Sequence, residues 1–481
     1  MLFNSFEFIF VFLPIVFTGY FLINRMNVTL AKVWLLTSSL FFYSWWNPNY
    51  LLLIFSSLIV NFIIGTLLAK QFKQWVRKSI LTIGILFNVG LLGFYKYYDF
   101  FITNVNLVFG FDFVILHLVL PLAISFYTFQ QIAYLVDSYR FETNGYNFLN
   151  YALFVTFFPQ LIAGPIVHHQ DVMAQYEDQQ KKKINYRNIG LGLFMFAIGL
   201  FKKVGVADTF SVWANNGYDM AEGITFVDAW VTSLSYTFQL YYDFSGYSDM
   251  AIGLGLLFNI VLPINFNSPY KATGIIDFWK RWHITLTKFL TRYIYIPLGG
   301  NRKGITRTYI NVMIIYLISG FWHGAGWTFV FWGFLHGVAS VINRIWTKAG
   351  FRMNKLLAWF ITFQFINATW VFFRAPNFEV AIDILRGMVG LNGLALPEVL
   401  QDLNWVTENV SDFYVFTIDE NFWFVLLFLL GGFLIVVLAK NAAQLMEKHK
   451  PNVFSALFVS ALLVYSVFQL QKVSEFLYFN F

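Results

Sequence analysis

One histidine lies in an apolar, glycine-rich stretch of this sequence. His323 belongs to the run Ile318-Ser-Gly-Phe-Trp-His-Gly-Ala-Gly-Trp327. A titratable group at membrane depth is costly to bury, so this imidazole is a candidate catalytic group, and the neighbouring glycines leave room for a substrate beside it. Neutral imidazole is a suitable general base, since the ordinary pKa of histidine is about 6.5. The residues alone leave one alternative open, a structural histidine that bonds a neighbouring helix.

Charged residues crowd beside aromatic ones in the segment Asp277-Phe-Trp-Lys-Arg-Trp-His283, and Lys288 follows it. One interpretation is a basic amphipathic helix that lies on the inner leaflet of a membrane. The other is a basic cleft in which Lys280, Arg281 and Lys288 bind an anionic cofactor, such as a phosphorylated thioester carrier.

A third polar cluster, Gln239-Leu-Tyr-Tyr-Asp-Phe-Ser-Gly-Tyr-Ser-Asp249, lies between apolar runs. Its carboxylates, tyrosines and serines, among them Tyr242 and Asp243, would suit the polar lining of a site for a hydroxylated acceptor. They would suit equally well a break in a helix, where their polar atoms would satisfy loose backbone groups. The sequence does not choose between these two interpretations.

Several catalytic signatures are missing from the sequence. It contains no H-E-x-x-H motif, Walker-type loop, G-x-S-x-G elbow or complete G-x-G-x-x-G fingerprint, which removes the main signals for zinc proteolysis and ATP-driven transport. It also contains no cysteine, which excludes disulfides, thiolate nucleophiles and cysteine-ligated metals. We therefore expect a reaction that requires no metal.

The elements that position these groups must lie in lipid. Of the 481 residues, 58% are hydrophobic and only 12% are charged, which excludes soluble, fibrous and disordered proteins. We predict an all-α integral membrane protein with a single polytopic domain over residues 1–481. Several apolar segments are shorter than the roughly 20 residues of a full span, so we expect half-spans or broken helices around an internal chamber. The predicted spans lie near 6–23, 33–46, 50–69, 80–97, 114–136, 151–167, 189–207, 229–242, 250–262, 309–322, 327–342, 356–373, 422–440 and 453–472.

Clusters of lysine and arginine predict the orientation in the membrane. Basic loops near residues 70–78, 181–187, 302–307 and 344–355 are cytoplasmic by the positive-inside rule. Counting spans from these loops places both termini outside the cytoplasm. We attribute the net charge of +7 to this orientation rather than to nucleic-acid binding.

These stretches together resemble the membrane-bound O-acyltransferase (MBOAT) superfamily. The nearer likeness is to its bacterial branch, which includes alginate O-acetyltransferase, the membrane subunit of peptidoglycan O-acetyltransferase and the D-alanyl transferase of teichoic acid synthesis. Many motifs in one order make a specific signal, whereas each motif alone does not. The matching stretches are Met1-Leu-Phe-Asn-Ser-Phe-Glu-Phe8, Leu120-Pro-Leu-Ala-Ile-Ser-Phe-Tyr-Thr-Phe129, Phe158-Pro-Gln-Leu-Ile-Ala-Gly-Pro165, Tyr242–Asp249, Phe278–His283, Tyr295-Ile-Pro-Leu-Gly-Gly300 and Gly320–Gly324.

The resemblance implies a ring of about 11–14 transmembrane and re-entrant helices around a central tunnel in the bacterial inner membrane. His323 matches the catalytic histidine of the family, and His283 matches its second characteristic polar position, where it would stabilise developing charge. The implied reaction is acyl transfer from a cytoplasmic thioester to a hydroxyl group. The segment Leu290-Thr-Arg-Tyr293 lacks an acid expected there, so we assign it no catalytic role.

These implications lead to one hypothesis with several rivals. Acetyl-CoA would dock from the cytoplasm, with its phosphates near Lys280, Arg281 and Lys288, and its acetyl group would pass to an extracytoplasmic acceptor or transferase protein that modifies a polysaccharide such as peptidoglycan or alginate. Tyr478, in an aromatic tail similar to those of the bacterial branch, is a candidate acyl relay or else an aromatic residue of the membrane interface. Asp243 and Tyr242 are further acceptor or relay candidates. The rivals are D-alanyl transfer, a transporter that uses the same cavity with proton-relay groups, and a scaffold of a secretion complex.

Overall fold

Helices make up most of this computed structural model. It describes residues 1–481 except 144, 179–182, 221, 402–405, 407–411, 417, 420, 451, 472–476 and 478–481. Two short strands, β1 (Leu396–Pro397) and β2 (Phe413–Tyr414), pair in parallel with Leu396 opposite Phe413. π-Helical stretches occur at Glu7–Phe12, Gly93–Tyr97, Lys202–Ala207 and Thr291–Tyr295, and 3-10 turns at Pro269–Lys271 and Glu398–Leu400.

The α-helices are numbered in chain order. They are α1 (Leu13–Met26), α2 (Val28–Ser44), α3 (Asn49–Leu68), α4 (Gln74–Leu92), α5 (Tyr98–Phe109), α6 (Ile124–Tyr139), α7 (Phe148–Thr156), α8 (Phe158–Leu161), α9 (His169–Glu177), α10 (Tyr186–Phe201), α11 (Asp208–Asp219), α12 (Phe226–Leu257), α13 (Ile275–Trp279), α14 (Ile284–Leu290), α15 (Ile305–His323), α16 (Trp327–Lys348), α17 (Lys355–Arg374), α18 (Phe378–Met388), α19 (Phe422–Leu438), α20 (Ala442–Lys448) and α21 (Val453–Gln469).

Five helical segments among the described residues are long and apolar enough to cross a membrane. A sixth is added if α19 and α20, which meet at an angle of 53°, count as one bent span. The prediction of an all-α integral membrane protein is thereby confirmed. Fewer segments qualify than were predicted, because several of the predicted spans are short or broken helices. The five are Glu7–Met26, Asn49–Leu68, Gln74–Phe109, Tyr186–Asp219 and Lys355–Arg374.

The longest helix, α12, runs without a break for 32 residues and is buried along most of its length. The prediction of separate spans at 229–242 and 250–262 is therefore wrong. The polar cluster from Gln239 to Asp249 lies inside the continuous helix, so it is not a helix break. Packing against neighbouring helices keeps this polar stretch helical, and Lys202 and Lys203 pair with its carboxylates at Asp249 and Asp243.

The predicted break near 151–167 is present. Helix α7 ends at Thr156, and the single turn α8 follows with Pro159 in its first positions. The broken backbone is fully buried in protein. The side-chain amide of Gln160 donates a hydrogen bond to the backbone carbonyl of Phe154 at 2.5 Å. Interior broken helices of this kind survive at membrane depth only where protein or a wet cavity satisfies them.

The predicted span at 114–136 is wrong in its first half. Residues 110–121 are not helical, and α6 begins only at Ile124. The carboxylate of Asp99 accepts hydrogen bonds from the backbone N–H groups of Leu116 and Leu118 at 2.9 and 3.1 Å. These contacts stabilise an irregular loop over residues that hydropathy alone assigns to a helix.

Helices α15 and α16 form a close antiparallel pair. A Cβ atom added at Gly320 would lie 2.3 Å from the carbonyl oxygen of Phe329, and one at Gly333 would lie 2.4 Å from that of Tyr316. Small residues let the two backbones touch, as is common between helices in membranes. Helix α15 is longer than the predicted 309–322: its 19 residues extend about 28 Å, close to the thickness of a hydrocarbon core.

Candidate active site

His323 is the last residue of α15 and directly precedes the turn that leads into α16. Its ring centroid lies 4.9 Å from that of Trp322, 5.4 Å from Trp332 and 5.1 Å from Phe373. The residue is 4% exposed, and its Nδ1 atom is buried without a hydrogen-bond partner among the described residues. A structural histidine normally has its buried nitrogens satisfied. Here aromatic packing holds the ring, and Nδ1 has a hydrogen-bonding position that no described residue uses.

His336, on α16, shows the contrasting arrangement of a structural histidine. Its Nδ1 atom accepts a hydrogen bond from the indole N–H of Trp279 at 3.2 Å, and its Nε2 atom lies 3.1 Å from Oγ1 of Thr369. The residue is as deeply buried as His323, but both of its ring nitrogens have partners. His336 therefore offers a matched control for experiments on His323.

His283 lies in a different setting, at the start of α14. Its Nδ1 atom is 3.1 Å from Oδ1 of Asn265, and the same oxygen accepts hydrogen bonds from the backbone N–H and the hydroxyl of Thr285. Because a backbone N–H can only donate, Oδ1 is the acceptor, and Nδ1 of His283 must carry the proton. The Nε2 atom then has a lone pair, and it has no hydrogen-bond partner in the described part of the chain. In this tautomer Nε2 accepts hydrogen bonds, so donation to a developing negative charge requires a second proton.

The backbone of His283 is also strained. Its φ angle of 42° places it in the left-handed region, which costs a residue other than glycine about 1–3 kcal/mol and is found most often at functional sites. The ring packs edge-on against Phe244 with 4.8 Å between centroids. The strained turn thus directs a completely buried imidazole into the protein interior.

Trp322 connects the two predicted catalytic histidines. Its ring centroid lies 4.9 Å from that of His323 and 6.2 Å from that of His283. It stacks on Phe129 of α6 at 5.0 Å. The structure therefore brings His283 and His323, which come from different helices, to the same indole ring.

Two residues that were not predicted, Lys96 and Tyr97, bond the end of α15. The Nζ atom of Lys96 donates to the carbonyl oxygens of Trp322 at 2.5 Å and His323 at 3.2 Å, and the hydroxyl of Tyr97 donates to the carbonyl of Phe321 at 2.8 Å. A signal for Lys96 was present, since a lysine within the predicted span 80–97 carries the same cost of burial that singled out His323.

A cavity of 190 Å³ lies beside α14. Its lining includes the cationic residues Lys288 and Arg292 together with His168 and Tyr293. Thr285 also lines it, and the hydroxyl of Thr285 bonds the same Asn265 oxygen that holds His283. Asn265 therefore links His283 to Thr285, a residue of the cavity wall.

The three predicted phosphate-binding residues have different environments. Lys288 is exposed and lines this cavity, whereas Lys280 and Arg281 are not among its lining residues. Lys280 lies on the surface, and the Nε atom of Arg281 donates to Oδ1 of Asp277 at 2.9 Å. The structure thus brings Lys288 together with Arg292, which the sequence analysis did not select.

Asp137 forms a buried polar centre behind the cavity. Its Oδ2 atom lies 2.7 Å from Nε2 of His168, 2.9 Å from Nε2 of His169 and 2.6 Å from the hydroxyl of Tyr293. The aspartate and the two histidines are near enough to one another to hold a metal ion. The backbone N–H of Gln170, however, donates to Nδ1 of His168 at 3.2 Å, so Nε2 of His168 carries the proton and donates to the carboxylate. The arrangement fits a hydrogen-bonded carboxylate better than a metal site.

The hydrogen bonds also set the charge of this centre. Burial by itself would raise the pKa of Asp137, but the bonds from His168, His169 and Tyr293 outweigh burial and hold the pKa well below its usual range. Burial lowers the pKa of His169, against the opposing effect of its bond to Asp137. The centre therefore carries an ionised aspartate beside a neutral His169 at neutral pH.

The remaining candidates make structural contacts. The hydroxyl of Tyr242 donates to the carbonyl of Gly432 on α19 at 3.1 Å. Asp243 forms a buried ion pair with Lys203 at 2.6 Å, and its Oδ2 atom accepts a hydrogen bond from the backbone N–H of Leu477 at 3.4 Å. Tyr478 lies outside the described residues, although its neighbour Leu477 is buried against Asp243.

Comparisons with known proteins identify the family of this chain. A family model described as the membrane-bound O-acyltransferase family matches residues 136–377, which include both histidines. The chain is 48% identical to a peptidoglycan O-acetyltransferase of Helicobacter pylori, over 100% of this chain and 98% of that protein. It is 38% identical to a probable alginate O-acetylase AlgI of Pseudomonas aeruginosa, over 83% and 77% of the two chains, and 24% identical to a teichoic acid D-alanyltransferase of Streptococcus thermophilus, over 49% and 59%. The chain therefore belongs to the membrane-bound O-acyltransferase family and is an O-acyltransferase.

Proposed function

We propose that this protein moves an acetyl group from cytoplasmic acetyl-CoA across the bacterial inner membrane for O-acetylation of an extracytoplasmic polysaccharide, such as peptidoglycan or alginate. The observation that carries the proposal is the pair of buried imidazoles around Trp322, each with a ring nitrogen that lacks a hydrogen-bond partner in the described part of the chain. The names of two relatives, a peptidoglycan O-acetyltransferase and a probable alginate O-acetylase, support the choice of acyl group and acceptor.

The donor side of the proposal rests on the cavity that Lys288 and Arg292 line, together with Asp171. Arg77, which belongs to the basic cluster 70–78 predicted to be cytoplasmic, donates through Nη2 to the carbonyl of Tyr139 at 2.5 Å, at the end of α6. In the same last turn of α6, Oδ1 of Asp137 lies 3.6 Å from Nη2 of Arg292, which lines the cavity. The cavity is therefore at the same end of the protein as the basic loop, and the positive-inside rule assigns that end to the cytoplasm. Lys288 and Arg292 would bind the phosphates of acetyl-CoA there.

The acceptor side rests on the length of α15. This helix begins just after the basic residues Arg302 and Lys303 and ends at His323. Its length of about 28 Å is close to that of a hydrocarbon core, so an acceptor hydroxyl would reach His323 from the opposite side of the membrane. If both termini lie outside the cytoplasm, as the charge pattern predicts, the tail would lie near an extracytoplasmic partner, with Tyr478 as a candidate relay.

The proposed chemistry is acyl transfer with general base catalysis. A free ring nitrogen of His323 takes the proton of the acceptor hydroxyl while the hydroxyl oxygen bonds to the thioester carbonyl carbon. The carbon–sulfur bond then breaks, and the departing thiolate takes the proton back from the imidazolium, which yields an ester and free CoA. The Nε2 lone pair of His283 would accept a hydrogen bond that orients a reactant. This chain's own residues supply every proton transfer, and the step consumes one thioester for each ester formed.

The test is complementation of a deletion strain of the source bacterium, in which natural partners are present. We would compare the wild-type chain with His323→Gln and with the matched control His336→Gln, at equal amounts of folded protein in the membrane. Isolated membranes supplied with radiolabelled acetyl-CoA report thiol release, and base-released acetate reports O-acetylation of each envelope polysaccharide. Loss of a general base predicts a fall of at least about 100-fold in both rates for His323→Gln, whereas His336→Gln should remain active.

The possible outcomes separate the rival functions. Full activity of His323→Gln would remove the catalytic assignment. Use of a D-alanyl carrier thioester in place of acetyl-CoA would favour the alternative suggested by the teichoic acid D-alanyltransferase relative. Transport of a substrate without consumption of any thioester would favour the transporter.

A further inference from the structure

Lys96 lies inside the membrane-crossing segment Gln74–Phe109, within the π-helical stretch Gly93–Tyr97. Buried lysines in such a segment are costly and almost always have a charged partner or bond backbone carbonyls. Lys202 and Lys203 follow the first pattern, since they pair with Asp249 and Asp243 at 2.6 Å. Lys96 follows the second pattern: within the part of the chain that the structure describes it pairs with no carboxylate, and its Nζ atom bonds carbonyl groups of α15.

These bonds complete the C-terminal end of α15. A helix leaves its last four carbonyl groups without partners inside the helix. The backbone N–H of Gly324 reaches the carbonyl of Gly320 at 3.4 Å, and the carbonyls of residues 321–323 all receive their hydrogen bonds from Lys96 and Tyr97. Two consecutive side chains thus satisfy three of the four groups.

The local backbone explains how adjacent side chains reach one helix end. On a regular α-helix, consecutive residues point in directions about 100° apart. The π-helical stretch widens the turn, and single π turns of this kind occur frequently at functional sites. Tyr97 itself departs from ideal helical geometry, with φ −117° and ψ −7°. The distortion therefore turns both Lys96 and Tyr97 toward α15.

We propose that Lys96 is a positioning residue that fixes His323 for the acyl transfer, an inference that rests on the proposed function. The chain that follows His323 is the glycine turn Gly324–Gly326, which has little stiffness of its own. The imidazole has no hydrogen bond through Nδ1 to fix it. The orientation of the ring therefore depends on its aromatic neighbours and on the backbone carbonyls that Lys96 holds. The amino group also lies at the negative end of the helix dipole, where a cation is stabilising.

Loss of this anchor should affect the reaction more than the binding of the donor. A displacement of about 1 Å at a reacting group costs about 100-fold in rate. We expect Lys96→Met to lower kcat about 100-fold with little change in the KM for acetyl-CoA, because the cavity at Lys288 and Arg292 is separate from this anchor. Lys96→Arg keeps a donor that can bond two carbonyl groups and should recover most of the lost kcat.

The experiment compares purified full-length variants by acetyl-CoA turnover, size-exclusion profile and thermal unfolding. Lys271→Met is the matched control, because Nζ of Lys271 donates to the carbonyl of Ala439 at 2.5 Å, just beyond the end of α19. That variant removes the same type of bond from another helix end and should keep the wild-type kcat. Tyr97→Phe removes one of the bonds to α15 and should give a smaller fall in kcat than Lys96→Met.

The outcomes distinguish this inference from the proposed function, with His323→Gln assayed in parallel. If His323→Gln is inactive while folded Lys96→Met keeps kcat within a few-fold of wild type, the positioning role is wrong and the proposed function stands. If His323→Gln is active, the proposed function itself fails. If Lys96→Met does not fold while Tyr97→Phe has the wild-type kcat, Lys96 is only structural. A fall in kcat without a change in KM, reversed by Lys96→Arg, supports the inference.

Discussion

Substitution of Asn265 provides a quantitative test of the proton on His283. In Asn265→Leu, the side chain loses the oxygen that accepts bonds from Nδ1 of His283 and from the N–H and hydroxyl of Thr285. Each bond contributes about 1 kcal/mol, so we expect the free energy of unfolding to fall by about 3 kcal/mol. In the wild-type chain, an acceptor for Nδ1–H favours this tautomer by about 1–3 kcal/mol, or roughly 5- to 150-fold, because Nε2 has no partner among the described residues. Without Asn265 neither nitrogen has an acceptor, so the two tautomers become comparably populated and kcat should fall by at least about two-fold.

The measurement combines kcat for acetyl transfer with unfolding of the purified protein in detergent. Asn265→Asp keeps an acceptor oxygen and should preserve the tautomer. Asn367→Leu is the matched control: Asn367 is equally buried and bonds Thr237 and Ser233 at 2.7 and 3.3 Å. It should lose stability but keep kcat. An unchanged kcat in Asn265→Leu, or the same loss of kcat in Asn367→Leu, would refute the reasoning.

Three further predictions follow from the helix pair, the cavity and the Asp137 centre. Gly333→Ala places a Cβ atom 2.4 Å from the carbonyl oxygen of Tyr316 and should lower the free energy of unfolding by about 1–3 kcal/mol. The control Gly431→Ala meets open space and should not cause this loss. Equal thermal midpoints for the two variants would contradict the close packing of α15 and α16. Lys288→Glu should raise the KM for acetyl-CoA at unchanged kcat. Lys280→Glu should raise the KM less, because of these two lysines only Lys288 lines the cavity. A larger rise in KM for Lys280→Glu in initial-rate measurements would contradict the assignment of the cavity to acetyl-CoA. Burial lowers the pKa of His169, so below about pH 6.5 the unfolded chain binds more protons than the folded chain. The free energy of unfolding should therefore fall as the pH drops from 7 to 5.5. His169→Gln should weaken this pH dependence in thermal unfolding scans, and the same pH dependence in both proteins would contradict the prediction.

The sequence predicted the features that depend on composition and on local spacing. The apolar composition indicated an all-α membrane protein, which the helical segments confirm. The broken helix near Pro159 was also foreseeable, since proline and glycine interrupt helices whatever their neighbours. These features need no knowledge of the distant parts of the chain.

Contacts between distant parts of the chain were not predictable from the sequence. Helix α12 is continuous because surrounding helices bury its polar stretch, and the loop after α5 forms because the carboxylate of Asp99 binds the backbone of residues 116 and 118. The role of Lys96 depends on a helix end more than 200 positions away in the chain. Hydropathy and spacing along one segment contain no information on such partners.

The two ends of α12 belong to different hydrophobic clusters. Residues 229–244 pack with α17, α18 and α19. Residues 247–257 pack with α10 and belong to a second cluster that also contains residues of α6 and α7. One continuous helix therefore contributes to both hydrophobic clusters, so a break in α12 would disturb the packing of both clusters. In a chimaera with a relative, a crossover inside this helix would join mismatched surfaces on both sides at once, so exchange of the halves is best made in the loops that flank it.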